Sequence, residues 1–464
     1  MISTMTRPVA EGRPAAGYQL CEETASICPE CLARVDAWIA IKDGSVHLIK
    51  NCPIHGEQVE LLEKNAAYYQ ARTLYDKPGT ASKIQTQSIK GCPFDCGICP
   101  EHRQHTCIGL IEINSDCELA CPDCYTGHHA GSALKLNQIE KMMDFFQDAE
   151  SGRAELLQIS GGEPTRHPQI LDILKLAKDK HFKYVLLNTN GLRLAEDRDF
   201  ARELSRFLPR FEIYLQFDGC EARSHTLLRG HDLRMLKEKA IGNLADFGIP
   251  MTLVATIQRH ANSHEIGAIL KYGMRTPCVR GVNYQPLAFF SKTTPAALKD
   301  RVTLTEILEQ IEEQTCGEYR LTDFVPLPCN VERVAMTFCY RDGERFIPLT
   351  RRFNLREHLS VINNTFAFDA DEYLAQSCGN SVICRCTRSL LEKIRPLVPT
   401  DFGARTVGDK ADHFTRNMFR ISVSSFVDVY NFDLRSMQKE CVHVITPDLR
   451  RIPFSAYNMF HRKP

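Results

Sequence analysis

Three closely spaced cysteines, Cys117, Cys121 and Cys124, follow a short apolar stretch of this 464-residue chain. Thiolates hold iron–sulfur clusters in proteins, and a four-iron cluster that only transfers electrons is held by four of them. A compact set of three therefore predicts a cluster with one iron left open for another ligand, and so a catalytic centre. A structural zinc site or a group of buried thiols is the alternative for such cysteines.

A second segment, Gly161-Gly162-Glu163-Pro164, follows the apolar stretch 156–160. Two adjacent glycines allow the backbone to approach a small ligand closely. Together, the cysteine triplet and the Gly-Gly-Glu segment resemble the radical S-adenosylmethionine (radical SAM) enzymes. The resemblance implies that the triplet binds a [4Fe–4S] cluster and that the Gly-Gly-Glu segment holds the amino group of SAM.

The elements that must position these residues are six strand-like stretches that alternate with amphipathic helical stretches between residues 108 and 288. They are Ile108–Ile113, Leu156–Ser160, Tyr184–Asn188, Glu212–Phe217, Met251–Ile257 and Gly281–Gln285. Such repeats predict an α/β fold, a partial (β/α)6 TIM-like barrel that binds its ligands where the strands end. The resemblance places Asn190 and Asp218 near the ribose of SAM and Ile257 near its adenine. The alternative is that Asn190 and Asp218 are only turn or capping residues.

The N-terminal residues 1–75 contain two pairs of soft metal ligands at the ends of an apolar hairpin, with strands near 35–41 and 46–49. Four such ligands suit tetrahedral zinc or iron and would stabilise a hairpin that is too small to fold alone. The sequence therefore predicts a small zinc-ribbon or rubredoxin-like module. Its predicted ligands are Cys28, Cys31, Cys52 and His55, with Cys21 as an alternative to His55.

Residues 76–107 carry a second cysteine triplet with the same internal spacing as the first. No strand leads into this triplet, and a further cysteine follows it, so it predicts an auxiliary [4Fe–4S] cluster with a closed coordination sphere. The alternatives are a zinc site and a fourth ligand from His102, His105 or a distant cysteine. The predicted ligands are Cys92, Cys96, Cys99 and Cys107.

Two local features make the chain similar to one subgroup of the radical SAM enzymes. Tyr125 follows the third cysteine of the catalytic triplet, whereas many radical SAM enzymes have an aromatic residue at the position of Asp123. This pattern, with the upstream segment Cys-Pro-Phe-Asp-Cys-Gly-Ile-Cys-Pro-Glu-His, is similar to the subgroup that contains the archaeal tetraether lipid synthase and the class D pterin methylases. The likeness extends from the N-terminal module, across a barrel at residues 108–290, into residues 291–464.

The C-terminal residues 291–464 are predicted to form an α+β extension with a possible second auxiliary cluster. The resemblance has a departure here, because the subgroup tends to have a cysteine where this chain has Ser455. Buried structural thiols are the alternative reading of the remaining cysteines. The tentative ligands are Cys329, Cys384, Cys386 and Cys441.

The composition excludes several classes of protein. Lys+Arg and Asp+Glu both number 57, so no net positive field favours nucleic-acid binding. The N terminus lacks a signal-peptide core, and no apolar run reaches membrane-spanning length. We therefore expect a cytoplasmic protein in which many of the 20 cysteines bind metal, and in which the cysteines do not form a disulfide framework.

The resemblance implies that a 5′-deoxyadenosyl radical, made from SAM, takes hydrogen from an unactivated carbon. The leading interpretation is carbon–carbon bond formation at an sp3 carbon, as in tetraether lipid synthesis. Methylation of a pterin-like ring is the alternative, and a non-catalytic iron–sulfur or zinc electron-transfer protein is the alternative from another class. The implied cofactors are two or three [4Fe–4S] clusters, SAM, and one zinc or iron ion. The implied partners are a small-molecule or lipid substrate and a flavodoxin- or ferredoxin-type electron donor.

Overall fold

A computed structural model of the protein describes residues 17–80, 83–126, 132–152, 154–291, 293–352, 354–358, 401, 413 and 416–462. These residues form a four-stranded N-terminal sheet and a twelve-stranded second sheet. In this part of the chain, no helix has both the length and the apolar character needed to cross a membrane. Cys384 and Cys386, two of the tentative cluster ligands, lie outside the described residues.

The N-terminal sheet is antiparallel, with its strands in chain order. The strands are β1 (Gln19–Ile27), β2 (Arg34–Lys42), β3 (Ser45–Cys52) and β4 (Gly56–Glu63). Alternate residues of β2 and β3, among them Ile39 and Leu48, pack against Tyr69 of the short helix α1 (Ala66–Ala71). The predicted hairpin is confirmed as β2 and β3, while β1 and β4 extend it on either side.

Six consecutive parallel strands form the middle of the large sheet. They are β5 (Ile108–Glu112), β6 (Leu156–Ser160), β7 (Tyr184–Thr189), β8 (Phe211–Gln216), β9 (Met251–Ile257) and β10 (Val279–Pro286). All five side chains of β6 are buried, as expected for a parallel strand covered on both faces. The predicted α/β fold with six parallel strands is therefore confirmed, and the sheet has an open strand order typical of a partial barrel.

Helices between the strands cover the sheet. They are α2 (Leu136–Ala149), α3 (Ile170–Asp179), α4 (Leu192–Glu196), α5 (Arg198–Leu204), α6 (Ala222–Arg229), α7 (Arg234–Asp246) and α8 (Ile266–Arg275). The apolar stripe of α2, including Met143 and Phe146, packs into the core with Ile111 and Leu157. The catalytic loops therefore start from a rigid, dry scaffold.

The C-terminal part of the chain adds strands to both edges of the parallel sheet. Its elements are α9 (Pro295–Leu298), α10 (Leu304–Gln314), β11 (Val325–Pro326), β12 (Val334–Asp342), β13 (Arg345–Pro348), β14 (Met418–Ser424), α11 (Leu434–Gln438), β15 (Val442–Ile445), β16 (Arg451–Pro453) and α12 (Phe454–Ala456). Strand β14 lies parallel to β10, and β15 lies parallel to β5. Since β5 leads into the catalytic cysteines, β15 brings the C-terminal segment beside them.

Buried polar contacts fix the N-terminal sheet to the C-terminal part. The Nζ atom of the fully buried Lys50 donates hydrogen bonds to the carbonyl oxygens of Ile27, at 3.2 Å, and Val429, at 3.1 Å. The hydroxyl of Ser26 donates to the carbonyl oxygen of Phe432 at 2.7 Å. Because a buried ammonium without acceptors would be very costly, these contacts favour one orientation of the N-terminal module.

Candidate active site and metal centres

The triplet Cys117, Cys121 and Cys124, which is the predicted catalytic centre, lies in the loop after β5, at the carboxyl edge of the parallel sheet. The amide of Leu119 donates to the sulfur of Cys117 at 3.4 Å, and the amide of Cys124 donates to the carbonyl oxygen of Cys121 at 3.2 Å. Among the described residues, these sulfurs do not form a group within 4.8 Å of one another, as the ligands of a single ion would. Three spaced thiols fit a cluster in which each sulfur binds a different iron.

The two glycines of the Gly-Gly-Glu segment pack against the chain that leads into the triplet. A Cβ atom on Gly162 would lie 2.4 Å from the carbonyl oxygen of Asp116 and 2.6 Å from that of Ser115. A Cβ atom on Gly161, which has a φ of +143°, would lie 2.3 Å from the carbonyl oxygen of Asn114. The expected close approach of the backbone is therefore present, and its partner in the structure is the cysteine loop.

Glu163 ties this segment to the next strand end. Its Oε1 atom accepts hydrogen bonds from the amide and hydroxyl of Thr165, at 3.0 and 2.6 Å, and from the hydroxyl of Thr189, at 2.7 Å. Its Oε2 atom accepts from the amide of Asn190 at 2.7 Å. Burial raises the pKa of Glu163, and these hydrogen bonds oppose that shift. Both carboxylate oxygens are thus engaged within the protein.

Asp218 holds an arginine beside the cysteine triplet. Its carboxylate accepts two hydrogen bonds from the guanidinium of Arg229, at 2.7 and 2.8 Å, and one from the amide of Thr256, at 3.0 Å. Burial raises the pKa of the Cys121 thiol, and the positive charge of the nearby Arg229 opposes that shift. A cation in this position offsets the negative charge of thiolate ligands. Sequence reasoning missed Arg229, because it lies at the end of α6 with no motif around it.

The other two residues assigned to SAM have different surroundings. The amide nitrogen of the Asn190 side chain donates to Glu118 at 3.2 Å, next to Cys117 in the cysteine loop. The side chain of Ile257 is fully buried and belongs to the core of the barrel. Asn190 therefore lies at the predicted rim, and Ile257 closes the core beneath it.

An aromatic wall, which we define as Tyr125, Phe290 and Phe454, stands next to the triplet. The ring centroid of Tyr125 lies 5.9 Å from that of Phe290 and 5.5 Å from that of Phe454, in edge-to-face packing. Arg462 lies over the Tyr125 ring at 5.7 Å and is held by a two-point ion pair with Glu112, at 3.0 and 2.7 Å. Since Tyr125 is 43% exposed, the wall presents an aromatic face beside Cys124.

The four predicted ligands of the N-terminal module form one group, in which all ligand atoms lie within 4.8 Å of one another. The sulfurs of Cys31 and Cys52 are 3.9 Å apart, and the Nδ1 atom of His55 is 3.5 Å from the sulfurs of Cys28 and Cys52. Tetrahedral zinc bonds of about 2.3 Å to sulfur and about 2.0–2.1 Å to nitrogen give edges of about 3.8 and 3.6 Å. The group therefore fits one tetrahedral ion, and it includes His55 and not Cys21.

Cys92, Cys96 and Cys99 are buried and line one small pocket. The remaining lining residues are Ile98, His102, Met437, Gln438 and Pro453. The Oδ2 atom of Asp95 accepts hydrogen bonds from the amides of Ile89 and Gly91, each at 2.7 Å, and fixes the loop that carries these cysteines. Three thiols around one cavity fit a cluster site.

Cys107, the expected fourth ligand of that cavity, is not among its lining residues. Its sulfur lies within 4.8 Å of those of Cys329 and Cys441, in a separate buried group. The cause is the pairing of β15 with β5, because the amides of Cys107 and Ile108 both donate to the carbonyl oxygen of Cys441. The structure therefore brings the Cys107 thiol together with those of Cys329 and Cys441, whereas Cys92, Cys96 and Cys99 line a separate pocket.

Comparisons with known proteins extend over the same parts of the chain. The family described as the HMPTM N-terminal zinc ribbon domain matches residues 20–64, and the radical SAM superfamily matches residues 86–273. The 7,8-dihydro-6-hydroxymethylpterin dimethyltransferase of Methanocaldococcus jannaschii is 30% identical to this chain, over 95% of this chain and 94% of the relative. The PqqA peptide cyclase of Ruegeria pomeroyi is 25% identical, over 47% of this chain and 58% of that protein. Among solved structures, SuiB of Streptococcus suis bound to the precursor peptide SuiA superposes with a TM-score of 0.39 and 15% identity, over 46% of each chain.

Proposed function

The chain belongs to the radical SAM superfamily, and from that premise we propose that it transfers a methyl group to an unactivated carbon of a reduced pterin-type ring. The observation that carries this choice is the full-length similarity to a dihydropterin dimethyltransferase. Methylation of a pterin-like ring is the alternative given in the sequence analysis, and it is preferred here to the leading interpretation, the coupling of lipid chains. The predicted non-catalytic alternative is set aside, because the superfamily consists of enzymes.

The proposed cluster ligands are Cys117, Cys121 and Cys124. When bound, the cluster and SAM supply a 5′-deoxyadenosyl radical that removes a hydrogen atom from a C–H bond. Arg229, fixed by Asp218, offsets the charge at Cys121. The role of the protein is to hold the reacting carbon close to the radical and to exclude other hydrogen donors.

SAM itself is proposed to bind along the strand ends. Because both oxygens of Glu163 are engaged, we expect backbone carbonyls of the Gly161–Glu163 segment to accept from the amino group of SAM. The ribose contact of Asn190 stays a prediction, as does the adenine contact of Ile257. For Asp218, a ribose contact would have to coexist with its three hydrogen bonds to Arg229 and Thr256.

The aromatic wall is the proposed substrate surface. A flat heteroaromatic ring gains stacking energy on Tyr125, which lies directly after a cluster ligand. The guanidinium of Arg462, above the same ring, supplies donors for a polar ring edge. Coupling of lipid chains is the second candidate, and the apolar character of Phe290 and Phe454 favours it.

Substrate assays distinguish these candidates. We expect anaerobically reconstituted enzyme with SAM, a low-potential reductant and a 6-hydroxymethyl dihydropterin to give a methylated pterin by mass spectrometry. SAM with a deuterated methyl group tells whether SAM supplies the methyl group or an added one-carbon donor is needed. A flavodoxin or ferredoxin should replace the chemical reductant. If archaeal lipid substrates gave a coupled product and the pterin gave no methylated product, lipid coupling would replace pterin methylation as the proposed function.

Three further metal sites complete the proposal. An auxiliary cluster is assigned to Cys92, Cys96 and Cys99, and a zinc or iron ion to the ribbon group around His55. A separate sulfur-rich metal site is assigned to the buried thiols Cys107, Cys329 and Cys441. Burial raises the pKa of the Cys107 thiol to about 11, and a bound metal would favour its thiolate form.

This assignment predicts which cysteine variants share a metal deficit. We expect Cys107→Ser and Cys329→Ser to lose the same metal and the same absorption features, and Cys96→Ser to lose different ones. Metal analysis and visible spectra of the three reconstituted variants give the comparison. Cys339→Ser is the matched control, because Cys339 is buried in the barrel core. If the Cys107 variant instead lost the same metal as the Cys96 variant, Cys107 would be the fourth ligand of the Cys92, Cys96 and Cys99 site, as the sequence predicts.

A further inference from the structure

Among the residues that the structure describes, the pocket of Cys92, Cys96 and Cys99 has no fourth thiol in its lining. Its polar lining residues besides the cysteines are His102 and Gln438. The Nε2 atom of His102 lies 3.1 Å from that of His443, so this ring nitrogen already has a partner. Gln438 offers only a neutral amide, which is a weak iron ligand.

Ser455, at the position where the subgroup tends to have a cysteine, has its hydroxyl fully engaged. The Oγ atom accepts from the amide of Val427 at 3.1 Å and donates to the Oε1 atom of Glu440 at 3.0 Å. The backbone amide of Ser455 donates to the same Oε1 atom, also at 3.0 Å. Ser455 therefore orients a carboxylate by two hydrogen bonds.

The second oxygen of that carboxylate is unsatisfied. Glu440 is 4% exposed, and its Oε2 atom has no hydrogen-bond partner within the described part of the chain. Glu440 follows the lining residues Met437 and Gln438 closely in sequence. Burial is the main cause that raises the pKa of the Cys92 and Cys96 thiols, and the nearby Glu440 carboxylate adds to it. A buried carboxylate oxygen without a partner is costly, and a bound metal ion is one way to satisfy it.

We propose that Glu440, through Oε2, is the fourth protein ligand of the auxiliary cluster held by Cys92, Cys96 and Cys99, and that Ser455 positions it. This inference rests on the proposed cluster assignment. Carboxylate is a harder ligand than thiolate, and it gives one iron of the cluster an environment unlike the other three. The reduction potential of such a cluster depends on its ligand charges and hydrogen bonds, so this substitution sets its electron-transfer role.

The test uses a chain in which Cys117, Cys121 and Cys124 are all replaced by alanine, so that the catalytic cluster does not contribute. Three proteins are compared in that background: the chain with Glu440 intact, Glu440→Gln, and the double variant Glu440→Gln, Ser455→Cys. Their ⁵⁷Fe Mössbauer and electron paramagnetic resonance spectra are recorded. We expect one distinct iron site with Glu440. Glu440→Gln should lose that iron and give a three-iron signal, with the four-iron fraction reduced at least about 10-fold. Ser455→Cys should restore a four-iron cluster with uniform thiolate ligation.

Glu332→Gln is the matched control, since Glu332 is also buried with an unpartnered Oε2 atom but is paired with Arg72 and Arg435. It should leave the spectra unchanged. A second measurement leaves residue 440 unchanged and uses protein labelled with ¹³C at the side-chain carboxylates of glutamate. The carboxylate carbon of Glu440 should then show hyperfine coupling to the reduced cluster. Unchanged spectra in Glu440→Gln, or no ¹³C coupling, would overturn the inference. If the triple-alanine chain with Glu440 intact held no auxiliary cluster, the proposed assignment of Cys92, Cys96 and Cys99 would be wrong, and the failure would not concern Glu440.

Discussion

Replacing Cys124 by alanine is expected to abolish formation of 5′-deoxyadenosine from SAM. Cys124 is one of three proposed thiolates that leave one iron open, and two thiolates do not hold such a cluster in place. Loss of a partner in the outer shell of a metal site already costs about 10–100-fold, so loss of a direct ligand should cost at least about 100-fold. Mass spectrometry of anaerobic reactions with SAM and dithionite measures the product.

The comparison with the other triplet makes this test specific. Cys96→Ala should alter the iron content and spectra of the auxiliary site while SAM cleavage continues at the catalytic triplet. Cys316→Ala is the control for a cysteine substitution as such, because Cys316 is exposed and far in sequence from every proposed ligand. If the Cys124 variant still formed 5′-deoxyadenosine, or if only the Cys96 variant lost SAM cleavage, the catalytic cluster would be assigned to Cys92, Cys96 and Cys99 instead.

Much of this fold could be predicted from sequence, because each parallel strand is a short apolar run with a polar residue at its end. The stretches Leu156–Ser160 and Met251–Ile257 were predicted with the bounds they have in the structure. Both are nearly fully buried, and burial on both faces gives the strongest apolar signal a strand can have. The ligands of the N-terminal module were recognisable for a related reason, since pairs at the two ends of a hairpin converge by local geometry.

The auxiliary sites could not be predicted in the same way, because they depend on strand pairing between distant parts of the chain. Cys107 and Cys441 meet only because β15 joins the sheet beside β5, a register that no local pattern encodes. Arg229 and Glu440 were missed for a similar reason. Charged residues in helices and loops are usually solvated, and only the tertiary structure shows that Arg229 is paired with the buried Asp218 near Cys121 and that Glu440 is itself buried.

Gly162→Ala is expected to reduce SAM cleavage by about 100-fold, the loss that a displacement of about 1 Å at a reacting centre can cause. The added Cβ atom would lie 2.4 Å from the carbonyl oxygen of Asp116 and 2.6 Å from that of Ser115. Both are backbone atoms, so the clash can be relieved only by moving the chain that leads into Cys117. The measurement is the initial rate of 5′-deoxyadenosine formation, with the iron content determined for the same sample.

Gly242→Ala provides the matched control for this substitution. Gly242 lies exposed in α7, and a Cβ atom there would have no neighbour within 4 Å. Alanine in a helix interior should therefore raise the free energy of unfolding by about 0.5–1 kcal/mol and leave the rate of SAM cleavage unchanged. An equal rate in Gly162→Ala and the parent enzyme would mean that the loop before Cys117 adapts without cost. In that case Gly162 would be needed neither for packing against the cysteine loop nor for the binding and cleavage of SAM.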